Sequence, residues 1–422
     1  MIYNKQTAEQ CFSGLGIAPN LMEALARLDY KIPTPIQRQA IPIALEGRDL
    51  VGVAQTGTGK TLAFGIPMIQ RLSQLRGCCG LVVLPTRELA VQVDEALQKI
   101  GSRFGLRTAV LIGGMPINAQ IRALSRRPNI IIATPGRLND HLQQKTVRLN
   151  NVKIAVLDEA DRMLDMGFAP QIQRIFKVLP TDRQTMLFSA TIPPEIMKMA
   201  ATYLKVPLRI EVAPTGSIAE HLTQEIFIIS KFDKIRLVDK LLQRYLGPTL
   251  IFTRTKFGAK KLARSIRDMG HTSAELHSNR SLGQRRDALE GFKSGKYRVL
   301  VATDIASRGI DVTGIELVIN YDLPTNTEDY VHRIGRTARA GVDGHAISLA
   351  TPEQRNELRD IERLIKITLP ISKVPELPPK REPKFVAGYQ EKFSFQPRRK
   401  INAFGGSRRR PFHSQRRGSR RT

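Results

Sequence analysis

The sequence is poor in the residues that hold small secreted proteins together and in those that build membrane spans. Its 422 residues include no Trp and three Cys: Cys11, Cys78 and Cys79. Three thiols without a CxxC spacing exclude a disulfide framework, argue against a structural zinc and fit a reducing compartment. The polar start lacks signal-peptide features, and no apolar run reaches the roughly 18 residues that cross a bilayer. We therefore expect a cytoplasmic protein without a membrane partner.

Aromatic residues make up 6% of the chain, which leaves few platforms on which nucleic-acid bases could stack. Acidic residues are also scarce, because 38 Asp and Glu stand against 66 Lys and Arg, and the net charge is +28. Such an excess attracts polyanions, most often nucleic acid, although a basic surface can also serve solubility alone. The excess is greatest from Arg381 to Thr422, where thirteen Lys and Arg face two acidic residues.

Short β-branched runs alternate with helical stretches along most of the chain. Near-continuous apolarity over four or five residues is typical of strands buried on both faces of a parallel sheet. The runs lie at 50–53, 80–84, 109–112, 130–133, 154–157, 184–188, 224–229, 249–252, 297–301 and 317–320. This alternation predicts two α/β domains, at 1–208 and 221–370, joined by a linker at 209–220. Residues 371–422, rich in Pro, Gly, Ser and Arg, are expected to form a disordered basic tail.

A glycine-rich loop follows the run at 50–53 and opens a helix. It reads Ala54-Gln55-Thr56-Gly57-Thr58-Gly59-Lys60-Thr61. In such a loop backbone N–H groups approach phosphates, Lys60 reaches the β and γ oxygens, and the Thr61 hydroxyl binds Mg²⁺. Ala54 replaces the glycine of the strict pattern, and a glycine-rich helix cap is the alternative.

The tetrapeptide Asp158-Glu159-Ala160-Asp161 stands at the end of another apolar run. A carboxylate there can hold the Mg²⁺ that bridges the phosphates, and its neighbour can activate the attacking water. Together, loop and tetrapeptide predict binding and hydrolysis of a nucleoside triphosphate. Ser189-Ala190-Thr191 follows the next strand, where its hydroxyls could equally be ordinary helix caps.

Arg333, Arg336 and Arg339 recur at three-residue spacing in the second predicted domain. If the segment is helical, the three guanidinium groups share one face, and no acidic run nearby would neutralise them. This pattern favours an arginine finger delivered from the second domain to the γ-phosphate held by the first. A surface helix with ordinary ion pairs is the alternative.

These motifs resemble, in order, those of the DEAD-box ATP-dependent RNA helicases of superfamily 2, and look most like the bacterial RhlE-type branch with its basic tail. The resemblance covers residues from about 10 to 370. It implies two RecA-like domains, ATP and Mg²⁺ as ligands, and an RNA-stimulated ATPase that opens short duplexes locally or remodels ribonucleoproteins. It further implies sequence-independent binding of single-stranded or short duplex RNA by a monomer.

The resemblance also implies a role for each matching residue. Catalysis falls on Lys60, Asp158, Glu159, Arg336 and Arg339, with Asp158 holding Mg²⁺ and Glu159 acting as the base. Nucleotide contacts fall on Tyr30, Gln37, Ala54, Gln55, Thr56, Gly57, Thr58, Gly59, Lys60, Thr61, Asp304 and Asp311. The residues that would couple the bound nucleotide to the cleft are Asp161, Ser189, Thr191 and His332. RNA contacts fall on Pro85, Thr86, Arg87, Gly114, Thr134, Gly136, Arg137, Arg254 and Thr303.

Three positions depart from the family's pattern. Leu282 stands where a Gln-x-x-Arg element ending at Arg285 usually begins, which puts one polar contact in doubt, and Asp29 and Ala338 replace usual glycines. Two other functions compete with helicase activity. One is a non-catalytic RNA clamp or annealing chaperone driven by the positive charge, and the other is a duplex DNA translocase of the same superfamily, which Gln37 and the tetrapeptide disfavour.

Overall fold

The structure, a computed structural model, describes residues 11–379 apart from 56, 76, 213–221, 305–311, 313 and 339–342. Thr56, Asp311 and Arg339 therefore lie outside the described residues, as do most of the predicted linker and the predicted tail from residue 380 onward. None of the described helices is both long enough and apolar enough to cross a membrane.

The first domain is built around a parallel sheet of seven strands with the order β3-β4-β2-β5-β6-β1-β7. Its strands are β1 (Leu50–Val53), β2 (Cys79–Val83), β3 (Thr108–Leu111), β4 (Ile130–Ala133), β5 (Val152–Leu157), β6 (Gln184–Ser189) and β7 (Leu208–Glu211). Its helices are α1 (Pro19–Arg27), α2 (Pro35–Leu45), α3 (Lys60–Gln74), α4 (Arg87–Gly101), α5 (Ile117–Ser125), α6 (Pro135–Gln143), α7 (Ala160–Asp165), α8 (Ala169–Val178) and α9 (Pro194–Tyr203).

The second domain repeats this design with the strand order β10-β11-β9-β12-β13-β8-β14. Its strands are β8 (Leu222–Ile228), β9 (Thr249–Phe252), β10 (Ser273–Leu276), β11 (Val299–Ala302), β12 (Leu317–Asn320), β13 (Gly344–Ala350) and β14 (Ile371–Ser372). Its described helices are α10 (Lys234–Arg244), α11 (Lys256–Asp268), α12 (Leu282–Lys293), α13 (Thr327–Ile334) and α14 (Arg355–Ile365). The two sheets confirm the prediction of two RecA-like α/β domains.

Alternating residues of each strand enter different hydrophobic cores, which is why the strands read as continuous apolar runs. In β2, Val82 packs in one core of the first domain while Leu81 and Val83 pack in the other. In β9, Ile251 and Leu250 divide in the same way between two cores of the second domain. Both faces of each sheet are covered, so ligands can reach it only at the ends of its strands. The loops that follow the strands gather at the carboxyl edge of the sheet.

Four strands lie outside the apolar runs. The strand β10 carries the buried polar residues Ser273 and Glu275, and β13 carries His345 and Ser348, so neither reads as continuously apolar. The strands β7 and β14 fall partly or wholly in the segments assigned to the linker and the tail. Pairing of β7 with β1 and of β14 with β8 extends each sheet beyond the boundary at 208 and the boundary at 370.

Candidate functional site

The phosphate loop lies between β1 and α3, at the carboxyl edge of the first sheet. Gly57 and Gly59 have left-handed backbones, with φ of 88° and 89°, a conformation that glycine adopts without steric cost. Lys60 begins α3, is buried, and donates a hydrogen bond from Nζ to the carbonyl of Ala54 at 2.9 Å. The loop therefore holds its cation in place at a helix N-terminus, which suits an anionic ligand.

Gln37 ties the segment predicted to read adenine to this loop. Its side-chain oxygen accepts from the backbone N–H of Thr34 at 3.0 Å, and its Nε2 donates to the carbonyl of Gly59 at 3.0 Å. A side chain at position 59 would collide with that amide, a second reason for glycine there. Tyr30, seven residues earlier, is 41% exposed, so its ring is accessible to a stacking partner.

Asp158 and Glu159 follow β5 directly, and both are buried. Burial raises the pKa of Asp158 to about 6, against the opposing charge of Lys60. Burial also acts to raise the pKa of Glu159, but the charges of Arg162, Lys60 and Arg336 outweigh it and hold that pKa below its ordinary value. Adjacent carboxylates with pKa values displaced in opposite directions are typical of paired catalytic groups.

Arg162, to which the sequence motifs give no role, orients Glu159. Its Nη1 donates to Glu159 Oε2 at 2.8 Å, and both side chains are buried. Glu159 also has φ of 55°, a left-handed conformation that costs a non-glycine residue of order 1–3 kcal/mol and recurs at functional sites. The sequence held one signal for this contact, because residues 159 and 162 have the spacing of neighbours on a helix.

Asp161 joins the tetrapeptide to Ser189-Ala190-Thr191, as the family pattern implies. Its Oδ2 accepts from the backbone N–H groups of Ala190 and Thr191 at 3.0 and 2.9 Å and from the Thr191 hydroxyl at 3.1 Å. The Ser189 hydroxyl accepts from the Asp161 backbone N–H at 3.3 Å. Burial acts to raise the pKa of Asp161, but the charges of Lys60 and Arg162 and the Thr191 backbone N–H hold it below its ordinary value.

The condition for placing Arg333, Arg336 and Arg339 on one helical face, a helix that spans all three, is not met. The helix α13 ends at Ile334, so Arg336 lies beyond it in a turn. Arg333 is neutralised after all, because Asp304 accepts from its Nε and Nη2 at 2.5 and 2.8 Å and Asn320 accepts from Nη1 at 3.1 Å. Asp304, assigned to the nucleotide, is thus engaged within its own domain.

Arg336 of the second domain lines the same small pocket as Arg162, which binds Glu159 in the first domain. It is buried, and its charge contributes to the lowered pKa of Glu159. His332, one turn earlier, faces the same region: burial and the charge of Arg162 lower its pKa to about 3, although Asp161 opposes this. The imidazole is therefore neutral at physiological pH. Residues 332 and 336 thus meet the ATP motifs across the domain boundary.

Eleven residues of the first domain and two residues of the second line a separate cleft of about 420 Å³. The lining includes the predicted RNA contacts Pro85, Thr86, Arg87, Thr134, Gly136 and Arg137, together with Gly113, Ser278 and Arg285. The Arg87 guanidinium lies against Gly113 and Gly114, and a Cβ at position 114 would collide with it. Arg254 and Thr303 are not among the lining residues, and Arg254 Nη2 lies 3.5 Å from Glu357.

The donor set fits Mg²⁺. Among the described residues, no group of three or more His, Cys, Asp or Glu side chains could hold a metal by itself. Mg²⁺ keeps several waters and binds through one or two protein oxygens plus substrate phosphates, so Asp158 and Thr61 would suffice. The pKa of Asp158 is raised because burial disfavours its charged carboxylate, and a bound cation would stabilise that charge.

The departures from the family's pattern have structural counterparts. Asp29 and Ala338, which replace usual glycines, have left-handed backbones with φ of 61° and 54°. Leu282 packs against the core of the first domain that contains Leu84 and Leu89, although it belongs to α12 of the second. Nearby, Arg285 Nη2 lies 2.9 Å from Glu88 Oε2 in a nearly buried ion pair. Leu282 therefore makes an apolar contact between the domains at the position where the family's pattern has a polar glutamine.

Leu282→Gln is expected to weaken RNA binding about fivefold when a non-hydrolysable ATP analogue is present. The reason is that losing a half-buried leucine costs about 1 kcal/mol of the closed arrangement. Fluorescence anisotropy with labelled RNA measures this, and affinity with ADP should stay unchanged. Leu246→Gln, at a leucine that is 72% exposed, is the control. Equal affinities for both variants and the wild type would show that the contact does not favour closure.

Comparison with known proteins identifies the family. A model described as DEAD/DEAH box helicase matches residues 34–199, and one described as Helicase conserved C-terminal domain matches residues 233–341. The chain is 44% identical over 362 residues to the ATP-dependent rRNA helicase RRP3 of Debaryomyces hansenii, covering 85% of this chain and 76% of that protein. The counterpart from Meyerozyma guilliermondii is 43% identical over 370 residues, or 87% and 78% of the two chains.

The fold has a counterpart among solved structures. The S. cerevisiae protein Dbp5 bound to RNA and ADP BeF3 superposes with a TM-score of 0.77 at 30% sequence identity, covering 86% of this chain and 95% of that one. Sequence family, close relatives and fold agree with the motifs that the two domains bring together. The chain therefore belongs to the DEAD-box family of ATP-dependent RNA helicases and is an RNA-dependent ATPase.

Proposed function

We propose that the two RecA-like domains bind ATP and Mg²⁺ between them and that Glu159 activates the attacking water. Asp158 and Thr61 would hold the metal, Lys60 the β and γ phosphates, and Arg336 the charge that develops on the transferred phosphoryl group. The observation that carries the proposal is the pocket that Arg336 of the second domain shares with Arg162, the ion-pair partner of Glu159 in the first. Arg336 and Glu159 can act on the same ATP molecule only when the two domains close.

RNA would occupy the cleft beside Arg87 and Arg137. These side chains, the adjacent threonines and the exposed loop backbone suit a sugar-phosphate chain, and they offer little base readout. Binding would then be independent of sequence. Closure of the two domains on ATP would distort one strand of a short duplex. Hydrolysis would reopen the cleft and release that strand. ATP and RNA binding are then coupled because both ligands favour the closed one of two domain arrangements.

The finer family branch and the RNA target also belong to the proposal. The basic segment after Arg381 supports the bacterial RhlE-type branch, whereas the fungal relatives are named rRNA helicases and make ribosomal RNA a candidate substrate class. A monomeric state and a cytoplasmic location stay predictions.

ATP-dependent unwinding of a short RNA duplex tests the proposal against the rival annealing function. The full chain should separate strands with ATP but not with ADP, and a chain ending at Pro379 should keep this activity. The shorter chain should bind RNA more weakly with a lower salt slope, because each lost phosphate contact removes about 0.7 from that slope. Strand annealing without unwinding would favour the clamp or chaperone. Unchanged affinity and salt slope on truncation would show that the tail binds no RNA.

A further inference from the structure

The helix α11 presents an aromatic ring and three cations to solvent. Phe257 is 71% exposed, and Lys260, Lys261 and Arg264 are exposed as well. Positions 257, 260, 261 and 264 have the spacing of one helical face, which we call the α11 face. Within the described part of the chain, none of its three cations forms an ion pair. The α11 face therefore combines an open ring with uncompensated positive charge.

The α11 face begins at the rim of the RNA cleft. Thr255 caps the helix by accepting from the Gly258 backbone N–H at 3.0 Å. Lys256 Nζ donates to Asn279 Oδ1 at 3.0 Å, and Asn279 follows Ser278, which lines the cleft. The same Lys256 Nζ lies 5.4 Å from the centre of the Phe257 ring. A continuous path thus leads from the cleft to the exposed ring.

We infer that the α11 face binds single-stranded RNA where the strand leaves the cleft. Phe257 stacks on an unpaired base, and Lys260 and Lys261 contact the following phosphates. Base stacking on an aromatic ring tolerates every sequence, and cations beside it neutralise the backbone. This face supplies an aromatic platform that a chain with 6% aromatic residues otherwise offers sparingly. The inference rests on the proposed function, because it extends the RNA path of the same cleft.

Charge and continuity favour RNA over a protein as the occupant. A protein partner would need an acidic surface around an apolar pocket, whereas a nucleotide carries a planar base and a phosphate in each repeat. The ring also stands next to Lys256, which is bonded to Asn279 beside the cleft residue Ser278, so a strand that leaves the cleft past Ser278 would meet this lysine and then the ring.

The test measures RNA affinity of the full chain with a non-hydrolysable ATP analogue, using strands of about six and about sixteen nucleotides. Phe257→Ala should weaken binding of the longer strand about tenfold and leave the shorter one within about twofold. The double variant Lys260→Gln/Lys261→Gln should lower the salt slope for the longer strand by about 1.4. Extending the short strand at one end alone should restore sensitivity to Phe257→Ala.

Matched controls separate the α11 face from general effects. Phe232→Ala removes another phenylalanine of the second domain that is 85% exposed, and Lys240→Gln/Arg244→Gln removes two exposed cations of α10. Neither control should depend on strand length. Equal losses for test and control variants, or no loss in Phe257→Ala, would overturn the inference. RNA-stimulated ATPase of the wild type is the separate check: its absence would refute the proposed function, and its presence with unaltered variants refutes the α11 face alone.

Discussion

Glu159→Gln is expected to stop ATP turnover while ATP binding survives. The change keeps the size of the side chain and its ability to accept a hydrogen bond from Arg162, but it removes the negative charge that receives the proton of the attacking water. Loss of a positioned general base costs about 10² to 10⁴ in rate. RNA-stimulated phosphate release measures the effect, and equilibrium binding of a fluorescent ATP analogue shows that the nucleotide site persists.

The exposed carboxylate Glu195, also in the first domain, provides the charge-matched control. Glu195→Gln should turn over ATP at the wild-type rate. Turnover near the wild-type rate in Glu159→Gln would sink the assignment of the base. If ATP binding is lost together with turnover, the carboxylate maintains the site instead of acting on the water.

Arg336→Ala is expected to lower the ATPase rate about 10³-fold or more, the usual effect of an arginine finger. Because this guanidinium comes from the second domain, the loss should appear in turnover and leave RNA affinity without nucleotide unaltered. Arg336→Lys should restore little, since an ammonium cannot match the bidentate geometry of a guanidinium. Single-turnover measurements with RNA at saturation separate the chemical step from product release.

The control for Arg336 is Arg355→Ala, at an exposed arginine of the same domain. Its turnover should equal that of the wild type. A full rate in Arg336→Lys would mean that positive charge alone is required. A full rate in Arg336→Ala would remove residue 336 from the transition state and direct attention to Arg339.

Most of the fold and the ATP motifs were predictable from the sequence because both are encoded locally. A strand buried on two faces is mostly apolar, so β1, β4, β9 and β12 were found with the bounds the structure gives them. The phosphate loop needs glycines where its backbone is left-handed, at positions 57 and 59, and a lysine at the first residue of the helix that follows. Edge strands such as β7 and β14 escaped prediction, since a strand with one neighbour and an exposed face needs no apolar run.

Interactions between distant residues could not be predicted in this way. The spacing of Arg333, Arg336 and Arg339 suggested equivalent groups, yet Arg333 is bound by Asp304 and Asn320, while Arg336 shares a pocket with Arg162 of the first domain. Likewise, the sequence indicated only that Leu282 lacks the polar group usual at this position. The structure shows that its side chain packs against the core of the other domain.

By itself the sequence determined the kind of chemistry, because the phosphate loop, the tetrapeptide and the basic charge each depend on residue types at short spacing. The tertiary structure alone decided which charges meet. Arg162 binds Glu159, Asp304 binds Arg333, and Arg336 of the second domain shares a pocket with Arg162 of the first. The physical reason is that a buried charge acts on whichever partner folding places within a few ångströms, and sequence separation does not measure that distance.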